Sequence, residues 1–269
     1  MLPTRFWAEM TWRDFQSPGI EEAIAVLPVA AVEQHGPHLP LGVDLLLMQG
    51  YIERVVARLP DELPVLFLPI QAIGTSTEHE DFPGTLSLSA ASLIAVLGEI
   101  GTSVARAGLG KLVLLNSHGG NVPLLDLVAQ DLRAQHGLLV AKATWHRFGY
   151  PDGLFSEDEL KHGIHAGDVE TSLMLSFRPE LVRDAERENF TSAAAAIESD
   201  FTWLRTGRPT GFGWMAQDLS ASGAMGNAAA ATAEKGEASA DYGVTAFIEL
   251  LQDVEAFDLD RLRDGPESD

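Results

Sequence analysis

The chain contains no cysteine. Disulfides are excluded, and so is any metal site built on thiolates. A metal here would have to be held by imidazole and carboxylate. Basic residues are also scarce: 18 Lys and Arg stand against 39 Asp and Glu, a formal net charge of −21. Such a chain repels nucleic acid and anionic membrane, which removes both as main partners. The acid excess itself reads as a solubilising surface. No apolar run approaches the roughly 18 residues that a membrane span needs, and the start lacks the pattern of a signal peptide. The expected protein is therefore soluble, unexported and cytoplasmic. No low-complexity linker or charge block divides the 269 residues, and 46% of them are hydrophobic. One domain over residues 1–269 with a sizeable core is expected.

Apolar runs at 24–30, 65–69, 111–116 and 138–144 read as buried strands. Between them, 44–59, 89–107 and 123–136 carry helical spacing, with Ser87 or Ser89 as a cap and Gly108 and Gly110 as stops. A short helix is expected within 1–20. Residues 145–164 are rich in Gly, Pro and charge and read as a loop or lid. Helices are expected over 170–177, around the alanines 193–196, and over 228–257 with interruptions at Gly236 and Gly243. Alternating strand and helix implies an α/β sandwich with a mostly parallel central sheet flanked by helices.

The first strand runs into Glu33-Gln34-His35-Gly36-Pro37-His38-Leu39-Pro40-Leu41-Gly42-Val43-Asp44. One Glu, two His and one Asp thus follow a buried strand, as in a metal site at the carboxyl edge of a sheet. Glu33 and His35 are two apart and point the same way in an extended segment. The Gly and Pro residues let the chain fold back and bring Asp44 to the same place. His118 follows the strand 111–116 and precedes Gly119-Gly120, which puts it at the same edge. Glu170 is a further carboxylate. Three carboxylates and two imidazoles suit two divalent ions, with Asp44 as a bridge. His165 is the candidate general acid/base, since an imidazole can protonate a departing amine. Without thiolates, Zn, Mn and Fe all remain open. His136, His146 and His162 read as surface or lid.

The same run resembles the signature of the creatininase family of metal-dependent amidohydrolases. Further segments match in order: Gly74-Thr75-Ser76-Thr77-Glu78-His79 with Phe82-Pro83-Gly84-Thr85, Asn116-Ser117-His118-Gly119-Gly120-Asn121, His165-Ala166-Gly167-Asp168-Val169-Glu170-Thr171-Ser172, and Ala231-Thr232-Ala233-Glu234-Lys235-Gly236. The resemblance spans roughly residues 24 to 250. It implies a creatininase-like sandwich and two metal ions held by Glu33, His35, Asp44, His118 and Glu170. It further implies catalytic roles for His165 and Glu170, and a homo-oligomer, hexameric in the family. The reaction it implies is hydrolysis of a C–N bond in a small cyclic amide or formamide by a water activated between the two ions. The resemblance also implies that His38 stands beside the ligand set and that Glu78 and His79 lie by the active site.

This chain departs from the creatinine-hydrolysing pattern at two places. That enzyme has a Tyr-Glu pair after the motif His, with the Glu a metal ligand; here Gly119 and Gly120 stand there, and Glu170 becomes the expected replacement. It also has a Trp just before its His-Ala-Gly motif, where this chain has Glu159-Leu160-Lys161-His162-Gly163-Ile164; Trp145 lies well upstream. Creatinine itself is therefore in question. Gly-Gly occurs in branches that hydrolyse a formamide and in the peptidase of mycofactocin maturation. A peptidase acting on a modified peptide is the alternative enzyme reading. An inactive metal-binding relative is the alternative outside the enzymes.

Overall fold

Strand Ile24–Val29 (β1) lies inside a four-stranded parallel sheet with Val65–Phe67 (β2), Lys111–Asn116 (β3) and Leu139–Thr144 (β4), in the order β2-β1-β3-β4. The computed structural model describes residues 2–263 and 265. Residues 1 and 269, the expected domain bounds, lie outside them. All six residues of β1 are buried, because helices cover both faces of the sheet. Side chains alternate along a strand, so Ile24 and Val26 enter one core while Ala25, Leu27 and Val29 enter the other.

Helix Val43–Arg58 (α1) connects β1 to β2 and packs on the first face. Ala90–Arg106 (α2) and Val122–His136 (α3) cover the second, with Leu93, Leu97, Leu125 and Leu132 in the core. Ser89 caps α2 by accepting from the Ser92 N–H, which stabilises the first turn. The segment expected to be a loop or lid contains a 3-10 turn, Trp145–Phe148, and a helix, Glu157–His162 (α4), capped by Ser156. Asp168–Phe177 (α5), Ala193–Asp200 (α6) and Ala216–Leu219 (α7) follow. A small antiparallel pair, Asn189–Phe190 (β5) with Gly226–Asn227 (β6), was not foreseen; two residues per strand leave no periodicity to read. At the start of the chain, 3-10 turns stand where a short helix was expected.

The last helix, Ala233–Ala256 (α8), runs unbroken through Gly236 and Gly243, contrary to expectation. Each glycine costs about 1 kcal/mol in a helix interior. Close packing explains their tolerance: a Cβ on Gly236 would sit 1.9 Å from the Ser172 carbonyl oxygen of α5. Helix α8 thereby reaches the first core through Val244, Phe247 and Leu251. Among the described residues, no helix is long and apolar enough to cross a membrane.

Candidate metal centre

The strand order reverses direction at β1. The chain goes from β1 to β2 on one side and later to β3 on the other, so the carboxyl ends of β1 and β3 form the switch point where open α/β sheets bind ligands. Val29 pairs with Asn116 at that edge. Glu33 and His35 follow β1, and His118 follows β3. Asp44 sits in the first turn of α1, where the helix N-terminus favours an anion. Glu170 lies in the first turn of α5.

Local chemistry sets each segment. The Asn116 side chain accepts from His118 N–H and donates to His118 O, so it grips the main chain of that histidine. Asn121 accepts from Thr75 N–H and donates to Ala30 O, tying the loop to its neighbours. His165 exchanges two main-chain hydrogen bonds with Met225. The next residue, Ala166, adopts φ 57°, a left-handed conformation that costs a non-glycine residue about 1–2 kcal/mol. Glu170 Oε2 accepts from the Ala166 N–H at 2.5 Å and helps to hold this turn.

Glu33, His35 and Asp44 are buried, and their ligand atoms come within 4.8 Å of one another. His35, His165 and Glu170 form a second such group, Glu33, Glu78 and His118 a third, and Glu33, His79 and His165 a fourth. His35 Nε2 lies 3.7 Å from Asp44 Oδ2 and 3.9 Å from Glu170 Oε2; His118 Nδ1 lies 3.2 Å from Glu33 Oε1. The five expected ligands are thus brought together.

The ring tautomers follow from the partners. His35 Nδ1 donates to the Glu33 carbonyl, and His118 Nε2 donates to the Thr75 carbonyl. A carbonyl only accepts, so in the neutral rings His35 Nε2 and His118 Nδ1 are lone pairs facing carboxylates. Both Glu33 oxygens, His35 Nε2 and Asp44 Oδ2 are buried without a hydrogen-bond partner. Buried acceptors facing acceptors are unstable unless a cation stands between them. This donor set, imidazole nitrogen and carboxylate oxygen, fits divalent zinc, manganese or iron.

Without an ion, protons answer the same demand for positive charge, on His118 and Asp44. Burial alone would raise the Glu33 carboxyl, but His118, His165 and His79 outweigh it and pull it well below the usual range. Burial opposes charge on His118, yet Glu33 and Asp44 hold its pKa up at about 10. Burial, with the Glu33 charge beside it, pushes Asp44 well up. Burial pushes His35 well down, which keeps Nε2 free as a ligand.

Other expected residues have different duties. His38 is buried, bonds through Nε2 to Thr171 Oγ1 and stacks on Phe190. Asp168 turns away from the centre, accepting from Ser172 Oγ and from Lys235 Nζ of α8. This explains the Thr232–Gly236 segment: Thr232 caps α8, Lys235 holds Asp168 and Gly236 admits α5. Gly120 has no room for a side chain, since a Cβ would lie 2.7 Å from Glu78 Oε1 and 2.4 Å from His118 Nε2. Glu78 Oε1 stands in the space that a side chain at position 120 would enter.

A cavity of about 240 Å³ opens beside His165 and Glu170. Tyr51, Trp145, Tyr150, Leu160 and Leu173 are among its walls. Trp145 is stacked on Tyr51 at 4.0 Å between ring centroids, so an aromatic wall arises from the end of β4 and not from the segment before His165. His146, expected at the surface or lid, lines the same cavity. His162 bridges Asp158 and Glu198, and His136 bonds Thr102, both away from the centre. The sequence reading gave no role to Gln34 or Glu159. Gln34 could have been noticed as an amide between two ligand candidates. Glu159 had no local signal, because its partners are main-chain amides at 168 and 227, which carry no side-chain pattern.

The creatininase family model, described as creatinine amidohydrolase, matches residues 8–251. The creatinine amidohydrolase of Pseudomonas putida is 32% identical over 203 residues, covering 68% of this chain and 75% of that protein. The mycofactocin precursor peptide peptidase of Mycobacterium tuberculosis (strain CDC 1551 / Oshkosh) is 37% identical over 174 residues, covering 62% of this chain and 63% of that protein. A solved manganese creatininase superposes with a TM-score of 0.71 at 27% identity, covering 93% of this chain and 98% of its own. With the parallel sheet, the buried cluster at its switch point and a match over nearly the whole length, the chain belongs to the creatininase family.

Proposed function

We propose that this chain hydrolyses a C–N bond of a small amide, using two divalent ions held by Glu33, His35, Asp44, His118 and Glu170. The observation that carries this reading is the set of buried, unpartnered acceptors on Glu33, His35 and Asp44 at the sheet edge. Such ions, when bound, make a water acidic and polarise a carbonyl oxygen. The cavity beside His165 orients the substrate; at about 240 Å³ it suits a small ring or one residue-sized group. His165 Nδ1 faces the centre, 3.7 Å from Glu33 Oε1, and in the neutral ring it carries a lone pair because Nε2 donates to the Gln34 carbonyl at 2.6 Å. His165 therefore takes a proton from the attacking water first and returns it to the leaving nitrogen.

The experiment is metal analysis followed by a panel of creatinine, a formamidopyrimidine, a hydantoin and short peptides. Two equivalents of metal and turnover of at least one amide are expected. Metal-free protein after loading, or loaded protein inert to the whole panel, would end the reading. His165→Ala should lower kcat by ~10²–10⁴ with metal content unchanged.

A peptide substrate is the second reading. The mycobacterial peptidase is 37% identical to this chain, and Gly119-Gly120 projects no side chain beside His118. Cleavage of a peptide, with no small amide turned over, would select it. A homo-oligomer goes with the same reading, by family likeness; a stable monomer in sedimentation at micromolar concentration would refute it.

A further inference from the structure

Gln34 stands between the proposed ligands Glu33 and His35, and its own side chain is turned elsewhere. It contacts two other histidines of the centre. His165 Nε2 lies 2.6 Å from the Gln34 main-chain oxygen, and His79 Nδ1 lies 2.8 Å from the Gln34 side-chain nitrogen. Both rings are buried, and they stack with centroids 4.3 Å apart at 27°. Their other nitrogens face one atom: His79 Nε2 is 3.4 Å and His165 Nδ1 is 3.7 Å from Glu33 Oε1.

The orientation of the Gln34 side-chain amide decides what His79 offers, and the Gln34 main-chain carbonyl decides what His165 offers. Gln34 Oε1 accepts from the Gly36 N–H at 2.9 Å, and Gln34 Nε2 donates to the Gly223 carbonyl at 3.0 Å. Both partners are main-chain groups of fixed polarity, so turning the amide over would set donor against donor and acceptor against acceptor. The second hydrogen on Gln34 Nε2 goes to His79 Nδ1. His79 Nδ1 is therefore an acceptor, and the neutral ring carries its proton on Nε2, toward the centre. For His165 the carbonyl of Gln34 takes the Nε2 proton and leaves a lone pair on Nδ1. One residue thus holds two adjacent imidazoles with opposite polarity toward the same point. The site is built for this amide: Gly223 has φ +78°, and a Cβ there would lie 2.2 Å from Gln34 Oε1.

We propose that His79 is a catalytic hydrogen-bond donor, set by Gln34, that works opposite the base His165. This rests on the hydrolase reading. As the water oxygen bonds to the carbonyl carbon, its proton passes to His165 Nδ1 and the C=O electron pair moves onto oxygen. The His79 Nε2–H donates to that oxygen without giving up its proton. When the C–N bond breaks, the oxygen's electron pair re-forms C=O, and the proton on His165 goes to the leaving nitrogen. Amide and water are consumed, acid and amine are formed, and both rings return to their starting state. The two roles require the two opposite polarities, which neither ring would hold without its partner on Gln34.

Ring nitrogen NMR on histidine-labelled metal-free protein reads the tautomers directly. His79 and His165 are both expected as the Nε2–H form. Gln34→Glu leaves only acceptors beside His79 Nδ1 and should move that proton from Nε2 to Nδ1, while His165, held by the main chain, keeps its form. In metal-loaded enzyme, His79→Ala should lower kcat by ~10²–10³, the scale for losing one donor to a developing oxyanion, with metal stoichiometry unchanged. His79→Gln, which can still offer an N–H, should recover part of that loss. An Nδ1–H tautomer for wild-type His79, wild-type kcat in His79→Ala, or loss of metal in that variant would each overturn the proposal. The tautomer is read on protein that need not turn anything over. A failure here is therefore distinguishable from a failure of the hydrolase reading.

Discussion

Replacing Glu159 should destabilise the turn that carries His165. This carboxylate belongs to α4, yet it is only 4% exposed and reaches across to two distant segments. Its Oε1 accepts from the Asp168 N–H at 2.6 Å and its Oε2 from the Asn227 N–H at 2.8 Å. Glycines make the room: a Cβ on Gly167 would lie 2.1 Å from Oε1, and one on Gly163 2.5 Å from the carboxyl carbon. In Glu159→Ala both amides lose their acceptor in a buried place, at ~1–3 kcal/mol each. Burial also raises the pKa of this carboxyl, so removing it recovers part of the cost of burying an anion. The net loss should be ~2–4 kcal/mol, lowering Tm by ~4–16 °C at ~2–4 °C per kcal/mol. Glu159→Gln keeps one acceptor and should lie between Ala and wild type. Thermal unfolding of the metal-free protein gives the comparison without interference from metal binding. kcat should fall as well, because Asp168 directly follows the His165–Gly167 turn. A Tm within ~1 °C of wild type for Glu159→Ala would show that water satisfies both amides and that the clamp does not exist.

Asp44→Ala should lose both metal equivalents, because Asp44 is the proposed bridge; retention of one equivalent at normal affinity in metal analysis would make it a terminal ligand. Gly236→Ala should cost ~3 kcal/mol, the upper end of ordinary overpacking, since its Cβ would lie 1.9 Å from the Ser172 carbonyl oxygen; an unchanged denaturant midpoint would show that α5 and α8 can move apart freely. Hydrogen bonds to Asp158 and Glu198 raise the His162 pKa above its ordinary 6.5, so its link between α4 and α6 is fully present below 6.5 and is lost as pH rises through the folded value. Hydrogen exchange of residues 157–162, corrected for intrinsic rate, should therefore show less protection at pH 9 than at pH 6, and equal protection would remove the link.

Much of the framework was legible in the chain. Strands β1, β2 and β3 are apolar runs because both of their faces are covered, and such a run needs no tertiary knowledge to be read; the edge strand β4 is only partly covered and carries the exposed Lys142. Helices α1, α2 and α3 carry their own spacing and stops. The ligand candidates were legible for a related reason: a strand end followed by Glu33, His35 and Asp44 concentrates metal-binding side chains within twelve residues. What the sequence could not determine depends on residues far apart in the chain meeting in space. Gly236 and Gly243 read as helix breaks, and only the packing of α8 on α5 and Tyr51 makes them tolerable. Trp145 carries no motif, and it became a cavity wall through where β4 ends. The buried role of Glu159 depends on amides at 168 and 227. His79 and His165 are both histidines in the sequence; one presents a proton and the other a lone pair because the Gln34 side-chain amide, oriented by Gly36 and Gly223, bonds His79, while the Gln34 main-chain carbonyl bonds His165. Residue type supplied the chemistry available to this centre, and the direction of each hydrogen bond, which is a tertiary property, decided how that chemistry is presented.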